Sequence, residues 1–275
     1  MLVAVTSTEV GAVHKLRTST RRVQAHLALL DLLSTSDSAL PVPPHKQETA
    51  AVLRRLKRVR RAAGAVRDLD VQTGTIQMDA PQKAAVHKGT SGDTIRKQAR
   101  QLRKHLESNR EAEARRLVRV LQAEEHPLAA ELQALEQAIQ TVKGKALAAA
   151  GLIDRVQLHF TAGVKGILRP GKADLPRAIE ALHEDDLHAV RKLAKLSRYM
   201  LESAPEGSRA LAVAERYEAL QEAGGRWHDW LLLQQISARF HGRKAELTQR
   251  YATHAASELA EYRLRLTELL PALQK

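Results

Sequence analysis

The sequence predicts an all-α protein, and three observations lead to that prediction. Aromatic residues make up only 3% of the 275 residues and hydrophobic residues 44%, so the core is expected to consist mainly of Leu, Ala and Val. β-Sandwiches and barrels rely on aromatic and β-branched residues, and this composition argues against them. Almost every segment repeats its apolar residues at intervals of three and four, whereas almost none alternates as a strand does.

The first helix is predicted from about residue 8 to residue 33. Thr20 fills the one gap in its apolar series, which consists of Val13, Leu16, Val23, Leu27 and Leu30. A Ser- and Pro-rich loop is predicted over 34–46. A second helix follows over about 47–78, in which Gly64 marks a possible break.

The remaining chain is predicted to be helical as well. A connection over 81–93 precedes a highly charged helix over about 94–125, and Pro127 begins another helix that ends near residue 165. After a linker over 169–176, the pattern predicts four more helices, over about 175–203, 207–223, 226–240 and 243–270. Modest loops between such helices are typical of antiparallel bundles.

Two short signals occur twice in the same order. The first is a His followed after three residues by Arg and after four more by a basic residue, at His14, Arg17 and Arg21 and again at His188, Arg191 and Lys195. The second is GAVRD over 64–68, which GRWHD repeats over 225–229. This order indicates an internally duplicated helical unit with an N-terminal half, 1–168, and a C-terminal half, 169–275.

The charge balance predicts a polyanionic partner. Lys and Arg total 44 and Asp and Glu total 31, which gives a formal net charge of +13. Nucleic acid, an anionic membrane and a phosphate polymer all fit this surplus. The absence of cysteine excludes disulfides, Cys-based zinc sites and thiol catalysis. Without a recognisable signal peptide or a membrane-length apolar run, we expect a soluble, cytoplasmic protein with no membrane contact.

Basic residues gather on one face of three predicted helices, opposite the apolar stripe of each. The faces consist of His14, Arg17 and Arg21; of Arg54, Lys57, Arg58 and Arg61; and of His188, Arg191, Lys192, Lys195 and Arg198. A solvated helix face usually mixes signs, because like charges four residues apart repel unless an anion neutralises them. The three faces therefore indicate anion binding. The helix over about 94–125 mixes Glu with its basic residues, so a solvated face and a binding surface both fit it.

The histidines and the two acidic dipeptides need separate interpretations. Cations crowd His14 and His188, which holds them neutral at pH 7, and an approaching phosphate would favour their protonation. We therefore interpret them as anion contacts and predict no metal site. Arg67-Asp68 and His228-Asp229 are interpreted as structural, since an acid can orient a neighbouring Arg or His or cap a helix.

Four segments carry a resemblance to a known family. VHKLRTSTRRVQAHLALL, LRRLKRVRRAAGAVRDLDV, LHAVRKLAKLSRYMLE and GGRWHDWLLL resemble the CHAD family, the conserved histidine α-helical domain, and the resemblance covers about residues 9–270. It implies two helical bundles related by a pseudo-twofold, with a basic cleft or pore between them that binds inorganic polyphosphate. It also implies association with polyphosphate granules, and that the cleft is lined by His14, Arg17, Arg21, His188, Arg191 and Lys195. Arg22, the second Arg of the first segment, completes the candidate site.

The two halves do not match evenly. When Asp68 is aligned with Asp229, Glu215, Glu218 and Glu222 fall opposite Arg54, Lys57 and Arg61. The second half thus lacks one cationic helix face. We expect the first half to supply most of the affinity.

The sequence favours non-catalytic polyphosphate binding and predicts no cofactor. The alternative is sequence-independent binding of a nucleic-acid duplex through its backbone, because eight aromatic residues leave little for single-strand stacking. An enzyme is not expected, since the chain has neither a Walker-type Gly-rich loop nor an HExxH motif. The sequence leaves the oligomeric state open.

Overall fold

The computed structural model describes residues 8–36, 46–79, 91–140, 149–168 and 174–272. These ranges hold no β-strand and eight helices: α1 (Val10–Ser36), α2 (Lys46–Asp79), α3 (Ser91–Gln140), α4 (Ala149–Ile167), α5 (Leu175–Glu180), α6 (Glu184–Leu201), α7 (Arg209–His241) and α8 (Glu246–Ala272). The all-α prediction is confirmed. None of these helices combines the length and the apolar character that a membrane span requires.

The chain divides into two compact units. Unit one consists of Met1–Thr20, Lys46–Glu136 and His228–Ala256, and unit two of Arg21–His45, Gln137–Trp227 and Ser257–Lys275. This division is not the division into sequence halves, because each unit takes residues from both. The predicted boundary between residues 168 and 169 adjoins 169–173, which lie outside the described residues. The duplication stays a prediction.

The core of unit one begins where α1 packs against α2 and α3. Val13 and Leu16 are buried there in one cluster with Val59, Ala62, Ala63, Val66, Ala114 and Leu117. Thr20 continues the predicted stripe: it is buried, and its hydroxyl donates a hydrogen bond of 2.9 Å to the Arg17 carbonyl oxygen. The polar residue of the stripe is therefore satisfied within its own helix.

A second cluster of unit one joins α2, α3, α7 and α8. Its buried members are Ile76, Ala99, Leu102, Leu106, Leu233, Leu247 and Tyr251. At the end of α2, the Asp79 carboxylate accepts two hydrogen bonds from Arg250, at 2.8 and 2.7 Å. The His254 ring lies 3.2 Å from the same carboxylate. These contacts hold the end of α2 against α8.

Unit two contains five of the eight aromatic residues, so its core does not consist of Leu, Ala and Val alone. Phe160 and Tyr217 meet edge to face with centroids 5.0 Å apart, and Trp227 stacks on Tyr262 at 5.8 Å. Tyr262 is completely buried, and its hydroxyl donates a hydrogen bond of 3.0 Å to the Leu187 carbonyl oxygen. The Tyr262 ring is thereby fixed in position.

In unit one, the possible break at Gly64 does not occur, and the predicted helix boundary at Pro127 is wrong. α2 passes through Gly64 without a break, because Ala63 and Val66 beside it are buried and a helical Gly costs only about 1 kcal/mol. α3 continues through Pro127, although an interior Pro costs about 3 kcal/mol. Glu124 and Leu128, which flank Pro127, are buried and help to offset that cost.

The predicted helix over 175–203 is two helices, α5 and α6. The Arg263 guanidinium donates to the carbonyl oxygens of Glu180 and Leu182, at 2.8 and 3.3 Å, and satisfies the end of α5. The His183 N–H donates to the Asp186 carboxylate at 3.3 Å, where α6 begins.

The predicted loops can be compared only in part. Residues 34–36 belong to α1, and 91–93 belong to α3. The rest of the loop over 34–46 up to residue 45, and the connection from 81 to 90, lie outside the described residues, as do residues 141–148 of the predicted helix over 127–165.

The predicted helices over 207–223 and 226–240 form one helix, α7, which passes through Gly224 and Gly225. A Cβ at Gly224 would lie 2.9 Å from two atoms of the Tyr262 ring, whereas a Cβ at Gly225 would meet no atom within 4 Å. Gly224 therefore allows α8 to pack closely on α7 and does not end the helix.

This contrast predicts opposite effects for two neighbouring substitutions. Gly224→Ala should lower the free energy of unfolding by about 1–3 kcal/mol, because the hydrogen-bonded Tyr262 ring cannot move aside cheaply. Gly225→Ala should raise it by about 0.5–1 kcal/mol, because a helical Gly is replaced where space is open. Urea unfolding of the full chain measures both, and equal stabilities would contradict the close approach of Tyr262.

Candidate functional site

Two residues of α1 place basic groups beside its buried stripe. His14 follows Val13 and is exposed, and Arg17 follows Leu16 with 21% of its side chain exposed. Arg17 Nη1 donates a hydrogen bond of 2.7 Å to Asp68 Oδ1 of α2. Asp68 therefore orients Arg17, which confirms the structural interpretation of this acid.

Two arginines of α2 belong to the same place. Arg60 and Arg67 are seven residues apart and so lie on one side of the helix, with Gly64 between them. A Cβ at Gly64 would lie 3.9 Å from Arg17 Cζ, so the α2 backbone approaches that guanidinium. Arg60 is half-buried, and its pKa is lowered first by burial and then by the charge of Arg17. Like charges are thus held close together.

The His14 imidazole is subject to the same crowding. Partial burial, then the charges of Arg67 and Arg17, lower the pKa of His14 below its ordinary value of 6.5. We call His14, Arg17, Arg60 and Arg67 the α1–α2 cationic cluster. An anion placed there would interact favourably with all four groups and would raise the pKa of His14.

The predicted basic face of α2 is exposed opposite the buried stripe, as its helical phase requires. It consists of Arg54, Lys57, Arg58 and Arg61. Arg58 Nη1 donates a hydrogen bond of 2.8 Å to Glu124 Oε1 of α3, and Arg55 Nη1 holds the other carboxylate oxygen at 3.1 Å. Burial is the largest single effect on the pKa of Glu124 and raises it, but the hydrogen bonds and the charges of Arg58 and Arg55 together lower it below its ordinary value. Glu124 therefore neutralises part of this face.

The basic residues of α6 lie in unit two and are less open than predicted from the helical phase. Lys192 is exposed, whereas His188, Arg191, Lys195 and Arg198 are half-buried. The His188 ring lies against Trp227 at 4.9 Å, and its Nε2 is 3.5 Å from the Glu184 carboxylate. Burial lowers the pKa of His188, Glu184 opposes that effect, and Arg191 and Lys192 add to it.

Acidic residues also surround the end of α6. Arg198 donates from Nε to Glu202 and from Nη2 to Glu218, both at 2.7 Å. Glu202 also lies 3.4 Å from exposed Arg22, while Arg21 is half-buried. The charges of Arg198 and Arg22 are thus largely balanced within unit two.

The α1–α2 cationic cluster has the donors that phosphate requires. Each Arg presents a planar fork of N–H donors that matches phosphate oxygens, and an imidazolium adds a further donor. Within the described ranges, no group of His, Asp and Glu side chains could hold a metal ion. The arrangement can bind an oxyanion through charge and hydrogen bonds alone.

A family model of the CHAD domain matches residues 3–238, most of the 275-residue chain. The protein belongs to the CHAD domain family. The resemblance inferred from the sequence segments is thereby confirmed. No curated protein and no solved structure matches the chain. All candidate site residues of this CHAD domain lie within the matched range, whereas α8 lies beyond it.

Sequence reasoning missed Arg60 and assigned Arg67 only a structural role in this CHAD domain. The available signal was their seven-residue spacing around Gly64. Helical phase places Arg60 between the apolar stripe and the basic face. The phase alone therefore did not identify it as a residue of the binding site. Its nearness to Arg17 depends on how α1 packs against α2.

The charged stretch of α3 forms several ion pairs along its own length. Arg96 pairs with Asp93 at 2.6 Å, Arg103 with Glu107 at 3.4 Å and Arg116 with Glu113 at 3.7 Å. Pairs three and four residues apart stabilise an exposed helix. They favour a solvated face for these positions of the stretch.

The crowding of His14 can be measured directly. In an NMR titration of the full chain, the His14 ring signal, assigned through its loss in His14→Gln, should titrate below pH 6.5. Arg67→Gln should move the titration to higher pH, because the charge of Arg67 lowers the pKa of His14 more than the charge of Arg17 does. The control, Arg116→Gln, removes an exposed charge that pairs with Glu113 and should leave the titration unchanged. Identical curves for Arg67→Gln and wild type would contradict the cluster.

Proposed function

We propose that this CHAD-domain protein binds inorganic polyphosphate without catalysing a reaction on it, and that the α1–α2 cationic cluster is the centre of the site. The observation that carries the proposal is the close approach of Arg17 to α2 at Gly64, where a Cβ would lie 3.9 Å from Arg17 Cζ, between Arg60 and Arg67 in the sequence. Burial and the neighbouring arginines accordingly lower the pKa of His14 and of Arg60. Such crowding costs free energy in the absence of an anion. A phosphate chain relieves it, so the unfavourable arrangement has a use.

The ligand class follows from the kind of donors present. Polyphosphate is a uniform chain of charged groups, so its recognition needs cationic donors and no base-specific contacts. Exposed Arg54, Lys57 and Arg61 extend the positive charge of α2 beyond the cluster. At 1.5 Å per residue, Arg54 and Arg67 are about 20 Å apart along the helix, which is enough for several phosphates of one chain.

Unit one is proposed to supply most of the affinity. In unit two, His188 is half-buried beside Trp227, and two carboxylates hold Arg198. One of them, Glu218, belongs to the acidic face that occupies the place of the basic face of α2 in the sequence alignment. A phosphate would have to compete with these carboxylates for Arg198.

Binding of this kind would hold the protein on polyphosphate granules in the cytoplasm. The proposal does not require a membrane, a metal ion or a cofactor. Within unit two, we propose that His188, Arg191, Lys192 and Lys195 are secondary phosphate contacts.

Competition near physiological salt tests the choice of polyanion. When competitors are compared at equal concentration of negative charge, unlabelled polyphosphate should displace labelled long-chain polyphosphate most effectively. ATP should compete poorly because it offers few phosphates. Duplex DNA is the decisive competitor, since it also presents a phosphate backbone. If duplex DNA competes equally well per charge, the protein binds polyanions in general and nucleic-acid backbone binding becomes the better proposal.

A single substitution tests the position of the site. Arg67→Gln should weaken polyphosphate binding about tenfold or more, because a hydrogen bond to a charged group contributes about 1.5–3 kcal/mol. Arg67 is the suitable residue because its substitution leaves the ion pair between Arg17 and Asp68 in place, whereas a substitution of Arg17 would remove that pair. Arg116→Gln makes the same charge change on α3 and should alter the affinity less than twofold. Equal losses in both variants would mean that net charge, and not this cluster, determines binding.

A further inference from the structure

An exposed aromatic group lies on unit one outside the α1–α2 cationic cluster. Phe240, near the end of α7, is 45% exposed. The His105 ring of α3 stacks on it with centroids 4.9 Å apart and an interplanar angle of 27°, and the His241 ring meets it edge to face at 4.7 Å. We call these three rings the Phe240 platform. Most of the eight aromatic side chains are buried in the core, so a phenyl ring on the surface is unusual in this protein.

Hydrogen bonds fix the two imidazoles of the platform. A ring nitrogen of His241, Nε2, lies 3.0 Å from the Gln98 carbonyl oxygen. His105 Nε2 lies 3.0 Å from the Asn109 amide nitrogen. The Phe240 ring thus packs against two imidazoles that hydrogen bonds hold, which restricts its motion and lowers the entropy cost of stacking a ligand on it.

The platform lines an open groove of about 670 Å³ together with polar side chains of α3, namely Gln101, Lys104 and Ser108. Lys97, Arg100 and Lys104 are exposed and follow one side of α3 over about 10 Å. Exposed Arg243 and Lys244 follow Phe240 within four residues. The groove thus combines an aromatic surface with exposed lysine and arginine side chains on α3 and after α7.

Two acids of α3 near the groove form ion pairs with arginines. Asp93 is paired with Arg96 at 2.6 Å, and Glu107 with Arg103 at 3.4 Å. Each acid is thus balanced by an arginine of its own helix. Lys97, Arg100 and Lys104 are not members of either pair.

We propose that this groove binds a single strand of nucleic acid, with a base stacked on Phe240 and backbone phosphates on Lys104 and its cationic neighbours. Aromatic rings beside a row of cations are the usual means of binding single strands without sequence preference. Polyphosphate has no planar group, so the platform adds nothing to its binding. An open groove also leaves a mononucleotide largely exposed, whereas a strand makes contacts along α3.

The groove shares no residue with the α1–α2 cationic cluster. Phe240 and His241 lie beyond residues 3–238, the range that the CHAD family model matches. The sequence argued against single-strand binding because aromatic residues are few. The fold changes that argument, because one of them is placed on the surface among cations.

The test compares two oligomers that differ only in their bases. Fluorescence anisotropy should show that the full chain binds oligo(dT) of about ten nucleotides more tightly than an abasic deoxyribose-phosphate oligomer of equal length. Phe240→Ala should weaken oligo(dT) binding about five- to a hundredfold and leave the abasic oligomer and polyphosphate unaffected. Phe240→Leu keeps the apolar bulk without the aromatic face and should show a loss as well. Lys104→Gln should reduce the salt slope of log affinity by about 0.7.

Several results would overturn the proposal. These are an unchanged affinity of Phe240→Ala for oligo(dT), equal binding of the abasic oligomer by wild type, and thymidine monophosphate competing as well as the strand. A parallel loss of polyphosphate binding in Phe240→Ala would also do so, since it would report a change of the whole protein. The Arg67→Gln variant separates the two sites, because it should lose polyphosphate and retain the difference between the two oligomers.

Discussion

The ion pair between Arg17 and Asp68 joins the apolar contact of α1 and α2 to the cations that both helices carry. Val13 and Leu16 bring α1 onto α2, and Arg17 then lies where it forms an ion pair with Asp68. Because the Arg17 guanidinium is fixed, its charge and burial together lower the pKa of His14 and of Arg60. The packing of the core therefore holds the cations at distances that they would not adopt through their own interaction.

Carboxylates on neighbouring helices decide which other cations remain available. Glu124, with 7% of its side chain exposed, receives hydrogen bonds from Arg55 and Arg58 of α2. Arg198 is held by two carboxylates in the same way. A basic helix face is thus not uniformly a binding surface. A basic residue of such a face is neutralised where a neighbouring helix places a carboxylate beside it, and stays available to a ligand where no carboxylate is beside it.

Several of the few aromatic rings hold helices together. In unit two, Tyr262 fixes the packing of α8 on α7 through its contact with Gly224 and its hydrogen bond to Leu187. In unit one, Trp230 stacks on His254, which lies beside Asp79 at the end of α2. Phe240 differs from these residues because it lies at the surface, near the end of α7.

The sequence by itself determined the helical class, the buried stripes, the exposure of the basic face on α2 and the family. Each of these depends on the order of residues along one helix, because a period of 3.6 residues fixes the side on which a residue lies. It also identified Asp68 as a structural acid. It placed helix ends wrongly at Pro127 and beside Gly224, because local propensity is weaker than burial on either side of such a residue.

Only the tertiary structure decided which cations are crowded, which are neutralised and which ring is exposed. Arg58 and Glu124 are 66 residues apart in the sequence, and Arg17 and Asp68 are 51 apart. Whether such residues meet depends on the rotation and height of one helix against another, to which many side chains contribute. The period of a helix determines the side on which a residue lies. The packing of the neighbouring helix determines which residue it contacts there.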